Sequence, residues 1–465
     1  MTVNKDSVIA SNRFGFGAKP GDLVRIGASP KQWLLDQIQR PQTLSTKVAS
    51  GSSAVKAFLT FRNKKRDQMQ SGKGTTNDVK DVMNLAQVMR PIYLDHVMAR
   101  SKQVIESNSP FYERLVHFWS NHFAVSADNP QMYGLVGALE VEAIRPNITG
   151  YFSNMLLAVE THPTMLTYLD NFQSIGPKST MAKIGGKRRI NHKFDINENL
   201  AREILELHTL GVNAGYTQAD VTTFAKVISG WTYGGLFQDR TDRGKAGEFA
   251  FNDLMHEPGA KTILNKQYRQ MGFQQGVAVL RDLALHPRTA RHLATKLARH
   301  FVSDEPSEDA IDKLSQAYLQ SKGYLPAMYG ALVNLDEVWD KTFTKYKSPN
   351  DFVYSVFRTI NYIPDNPQKV IAPLTVLGQA PFRPGSPAGW PDTARSWSGG
   401  EALFKRVELA VAVAEKVGNR IDPLALAEII LGSTLSAQSR REIGRADSGS
   451  QGLAMLFASP EFQRR

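Results

Sequence analysis

The chain has 465 residues, 42% hydrophobic and 22% charged, the balance of an ordinary globular protein with a large core and two or three subdomains. It contains no cysteine, which excludes disulfides, thiolate metal sites and cysteine nucleophiles. A net charge of +12 permits contact with nucleic acid or an anionic surface but, over this length, demands neither.

The opening segment MTVNKDSVIASNRFGFGAKP lacks the apolar stretch of a signal peptide, and no apolar run is long enough to span a bilayer. The expectation is a cytoplasmic protein, with the periplasm open to it by co-export with a partner. The elements predict an all-α, multi-helix fold. An N-terminal helical segment covers 1–60 and a mobile basic loop 61–85. A central helical core with the candidate site covers 86–300, and a C-terminal helical region over 301–465 packs on that core.

In chain order, RFGFGAKPGDL is a loop. It lacks the preceding strand and full glycine spacing of a phosphate loop. A helix follows near 29–39, with Ser29 at the N-cap and Pro30 at the first helical position. Residues 62–78, polar, basic and containing glycine, read as loop. Residues 86–127 read as helical. Within FYERLVHFWSNHFAVS, Phe111, Leu115, Phe118 and Trp119 form the apolar side and His122 falls inside that arc. Glu113, His117 and Asn121 line the opposite side. A buried His122 needs a partner, which is a carbonyl, a carboxylate or a metal.

Pro146 should end the next helix, and another runs over 151–160. His162 precedes Pro163 at a junction, either as a cap or presenting its ring to a cleft. Residues 172–196 read as a loop whose Lys187, Arg188 and Arg189 form the most basic patch, a candidate anion-binding site. The densest run of polar residues on helical spacing follows, over 197–232. With Asn199 placed at zero and about 100° per residue, Arg202, Glu203 and Glu206 share its face. Leu200, Ile204 and Leu207 lie opposite, and His208 points toward the core. Gly211 is the C-cap candidate. Thr217 with Asp220 makes a capping-box pair for a second helix ending near Gly230. The polar face is either a solvated surface or a site.

Beyond Trp231, GEFAFN alternates as a short strand, paired with KTIL into a small hairpin near 248–264 with His256 in its turn. Over 288–302 the helical period is clean, with a basic face of Arg288, Arg291, His292, Lys296 and Arg299 that reads as a solvated surface or a phosphate stripe. PFRPGSPAGWPDTARSW is a rigid loop whose Trp390 lines a pocket or plugs the core. Helices over 400–416 and 423–464 close the chain.

Imidazole and carboxylate donors on neighbouring helices suit a divalent transition metal. The candidate ligands are His122, His162, Glu203 and His256, with Asn199, Arg202 and Lys261 as candidate catalytic groups. The Glu-x-x-His pairing of di-iron bundles is absent. A metal-dependent enzyme is one expected function, and a helical binding partner or export chaperone is the other. Nucleic-acid binding is the weaker third, because no reading motif accompanies the basic patches.

NHF at 121–123, HPTMLTYLDN, NENLAREILELHTLG, GYTQADV with SGWT, HEPGAKTIL, LHPRTARHLATKLARHFV and SPAGWPD occur in this order. This set resembles the large bacterial family called domain of unknown function 1800, over nearly the whole chain. The resemblance implies a mostly helical protein but no established reaction. It also implies a possible partner of the sulfatase-like family called domain of unknown function 1501, whose genes often lie beside those of this family and whose members often carry twin-arginine export signals. Many relatives carry an export signal of their own, and some have Phe in place of His208.

Overall fold

A computed structural model describes residues 4–71, 78–187, 196–236, 242–340, 343 and 345–465. The fold is mainly helical, as expected, with two tiny antiparallel sheets. One hydrophobic cluster runs from Val8 to Phe462, so the predicted segments share a single core. Among the described residues no helix is long and apolar enough to cross a membrane.

Several local signals act as the sequence suggests. Thr217 accepts from the Asp220 amide while the Asp220 carboxylate accepts from the Thr217 amide, closing the capping box of helix Gln218–Ile228. Gly230 follows with φ +79°, where an added Cβ would lie 2.4 Å from the Asn252 carbonyl oxygen. Helix Pro287–Phe301 buries Ala290, Leu293, Ala294, Leu297, Ala298 and Phe301, the predicted apolar stripe.

Other expectations are corrected. The basic loop predicted over 61–85 is largely helix: Gly51–Gln70 and Asp78–Glu106 flank residues 72–77, which lie outside the described set. The charged run RNKKRD is a helix surface, because Ala54, Val55 and Leu59 one to two turns earlier anchor that helix in the core. The predicted hairpin has the right strands and the wrong partners. Phe249–Phe251 pairs with Trp231–Tyr233, and Lys261–Ile263 pairs with Lys266–Tyr268. The central helix is α-helical only over Asn199–Glu203 and widens into a π turn over Ile204–His208, with Thr209 Oγ1 donating back to the Ile204 carbonyl at 2.6 Å. A π turn also covers Glu140–Ile144, and it passes into a 3-10 turn over Arg145–Asn147, so at Pro146 the helix changes form and ends a residue later.

Candidate functional site

The four expected metal donors do not share a site. Among the described residues no three His, Asp or Glu side chains gather to hold a metal. Each of the three histidines is engaged by its own protein partner, which is why the expectation fails. His122, 1% exposed, donates Nε2–H to the His208 carbonyl at 3.1 Å, satisfying an orphan carbonyl at the end of the π turn. His162 caps helix Pro163–Tyr168, its Nδ1 accepting from the Thr164 amide, and its Nε2 meets Glu142 at 2.9 Å. His256 donates Nδ1–H to the Ser229 carbonyl at 3.0 Å. Glu203 is half-buried, and burial raises its carboxyl above the usual range.

The expected catalytic trio also separates. Asn199 is exposed at the start of its helix. Arg202 is shared between Glu198, Glu206 and Gln218, a surface network that ties two helices together. Lys261 donates to the carbonyls of Glu257, Pro258 and Gly259 at 2.9, 3.1 and 2.7 Å, which occupies its three N–H groups and braces the turn. Of the anion-binding candidates, Lys187 is the last residue of helix Thr180–Lys187, and Arg188 and Arg189 lie outside the described residues.

The concave site lies elsewhere, between helix Pro110–His122, helix Pro287–Phe301 and the loop carrying Trp390 and Asp392. It consists of two adjoining clefts that share Asn121, His300, Trp390, Pro391 and Asp392. The inner one reaches Arg100, Arg114, His117, Glu140 and Asp351. The outer one, of about 290 Å³, adds His122, Lys296, Arg299 and Thr393, and its size is near the lower end for small-molecule sites.

Two sequence motifs lock together at its wall. The Asn121 amide pairs with the Trp390 backbone in both directions, accepting from its N–H at 2.7 Å and donating to its carbonyl at 2.9 Å. Gly389 makes this approach possible: its φ is +81°, and a Cβ there would lie 2.4 Å from the Asn121 carbonyl oxygen. The loop is thereby held on the end of helix Pro110–His122, which places Asp392 opposite helix Pro287–Phe301.

Asp392 is the hub of the charge network. Its Oδ2 accepts Nδ1–H from His300 at 2.6 Å, and its Oδ1 lies 3.4 Å from Lys345 Nζ and 3.6 Å from Arg465 Nη2. Arg114 and Arg465 flank Asp351, each at 3.1 Å. Burial opposes charge on Asp351 and Asp392, but the surrounding arginines, His300 and Lys345 outweigh it and hold both carboxyls well below the usual range. Burial drives His300 down to about 4, so its ring is neutral near pH 7 and its Nε2 accepts weakly from Arg114 Nη1 at 3.3 Å. Burial likewise takes His292 to about 4 and His117 and His122 well below their ordinary value.

Lys296 differs from all of these. It lines the outer cleft, one turn from His292 and one turn from His300 on the same helix, and its ammonium has no hydrogen-bond or ion-pair partner among the described residues. Burial lowers it to about 8, with only partial relief from Asp392. The basic stripe of this helix is therefore not one surface. Arg291 pairs with Glu308 and Asp312, His292 donates to the Leu207 carbonyl at 3.1 Å, and Lys296 and Arg299 face the cleft.

The sequence singles out Lys296 and Trp390 but does not join them, and it shows His300 and Asp392 only as parts of a helix and a loop. The available signal was local: a lysine with histidines four residues away on either side, on a helix whose opposite face is wholly apolar. Neither a curated protein nor a solved structure matches the chain. The match found is to a family, described as "Protein of unknown function (DUF1800)", over residues 9–464. Because that match takes in essentially the whole chain, including the motifs that build the cleft, the protein belongs to the DUF1800 family.

Proposed function

We propose that the protein is an enzyme that binds a small anionic molecule, carrying a carboxylate or phosphate, in the cleft beside Lys296. One observation carries this reading: a cleft-lining ammonium has no anion of its own. The nearest carboxylate, Asp392, is already committed to His300, Lys345 and Arg465. A partly desolvated cation without compensation is costly, and a bound anion supplies the missing charge. Arg299 at the same wall adds attraction, and the neutral imidazoles of His122 and His300 supply polar walls without competing charge.

The test is calorimetric titration of phosphate and of a small carboxylate such as lactate into the full chain at low salt. Binding should weaken about tenfold or more in Lys296→Met, which is about 1.4 kcal/mol. No binding of any small anion to the wild type at low salt would overturn the reading.

A second reading, docking of another protein, has a separate observation behind it. Leu403, Phe404, Val407 and Val411 are exposed along helix Gly400–Val417, an apolar strip on a surface helix. The sulfatase-like partner implied by the family resemblance, and export to the periplasm with it, belong to this reading. Co-purification with such a partner, abolished in Phe404→Asp, is its test.

A further inference from the structure

An uncompensated ammonium in a cleft has two ways to lose its cost: gain an anion, or lose its proton. The outer cleft favours both. Its one carboxylate is shared by two other cations, Lys345 and Arg465, and by the His300 ring, while Arg299 adds positive charge on the same helix. His122 and His300 beside it are neutral near pH 7 and do not stabilise the ammonium as a carboxylate would. Among the described residues the Lys296 amine makes no hydrogen bond, so its lone pair, once free, is not already committed to a donor.

We infer that Lys296 is a nucleophile that forms an imine with a small anionic carbonyl compound of the 2-oxo acid class. The inference rests on the anion-site reading above. The amine nitrogen attacks the carbonyl carbon to give a carbinolamine, with the nitrogen's proton passing to the oxygen. That hydroxyl then takes up a proton and leaves as water, and the nitrogen loses its remaining proton to give the C=N bond. The balance is one amine plus one carbonyl giving one imine plus one water, with no oxidant or reductant. Arg299, three residues on and lining the same cleft, is the cation that would take the substrate carboxylate while the amine attacks the adjacent carbonyl carbon. The lowered proton affinity of Lys296 keeps a larger share of the amine neutral near pH 7 than at a surface lysine.

The experiment treats the full chain with pyruvate and sodium borohydride, which reduces an imine to a stable secondary amine, and maps the adducts by peptide mass spectrometry. Lactate, the same size and charge without the carbonyl, is the companion ligand. The expected result is one dominant adduct at Lys296, formed at least about tenfold faster than at any surface lysine and suppressed by excess lactate. Lys296→Arg keeps the cation and should still bind lactate while forming no adduct at that position. If lactate and pyruvate bind but no adduct forms at Lys296, the imine inference falls and the anion site stands. If neither ligand binds and adducts spread evenly over surface lysines, both fall. Mapping the wild type alone decides between these outcomes, so the inference is testable even where a variant does not fold.

Discussion

The helix pair over 199–228 and the cleft under helix Pro287–Phe301 are both dense in polar side chains, yet they end in opposite electrostatic states. In the first, the charged and imidazole groups pair with one another. Arg202 has two carboxylates and an amide, and buried His208 sits 2.8 Å from Glu160. In the second, two cations and the neutral His300 ring share Asp392, and one lysine is left without a partner among the described residues. A polar run in sequence therefore marks a network that neutralises itself within a few turns. The functional candidate arises where charges from distant segments meet and fail to cancel.

The largest effect expected from this contrast is acid sensitivity. His117, His122, His292 and His300 all have folded-state values depressed by burial. The unfolded chain takes up their protons as pH falls below about 6.5, while the folded chain does not, so stability falls with pH. Each group contributes about 1.4 kcal/mol per pH unit in that window. For His292 and His300 the loss levels off near 4. Denaturant melts at pH 7, 6 and 5 should show a steep decline, and a flat profile would show that these rings are solvated.

Next in size is Asp351→Asn. It removes the shared partner of Arg114 and Arg465 in a buried network and should cost about 3–5 kcal/mol. The measurement is the denaturant midpoint at pH 7.

Smaller, and opposite in sign, is Lys296→Met. Removing this cation from the cleft should raise stability by about 1 kcal/mol at pH 7 while weakening anion binding about tenfold or more. The charged groups around Lys296 are Arg299 and Asp392, with His122, His292 and His300 as neutral rings. Because its folded value lies below its unfolded one, the cost of its charge is present below about 8 and fades as pH rises toward 10.5. The gain from Lys296→Met should fade over the same window. A loss of stability at pH 7 would mean that Lys296 has a structural partner.

The smallest expected change is Arg202→Ala, below about 1 kcal/mol, because its ion pairs are partly solvated. A larger loss would erase the distinction between the two regions.

Much of the fold was legible from local rules. The capping box at Thr217, the Pro-started helices at Pro30, Pro163 and Pro287, and the 3.6-residue stripe ending at Phe301 all depend on residues a turn or two apart. Such signals need no knowledge of the rest of the chain. They also placed His208 inward and His162 at a helix start, although not what either ring would touch.

Tertiary structure alone decided strand pairing and the site. Phe249–Phe251 had a strand pattern, but a three-residue strand carries too little information to choose between Trp231–Tyr233 and Lys261–Ile263. The metal expectation failed because ligand geometry depends on where ring nitrogens point, and each of those rings was claimed by a carbonyl, an amide or a carboxylate nearby. The cleft needed Asn121, Lys296, His300 and Asp392, drawn from three segments up to 271 residues apart, to be brought together. The Gly389 turn and the Asn121–Trp390 pairing achieve this. Which residues can carry charge is written in the sequence, but whether a charge is compensated depends on neighbours that only folding supplies, and at Lys296 the described residues supply only the partial relief of Asp392.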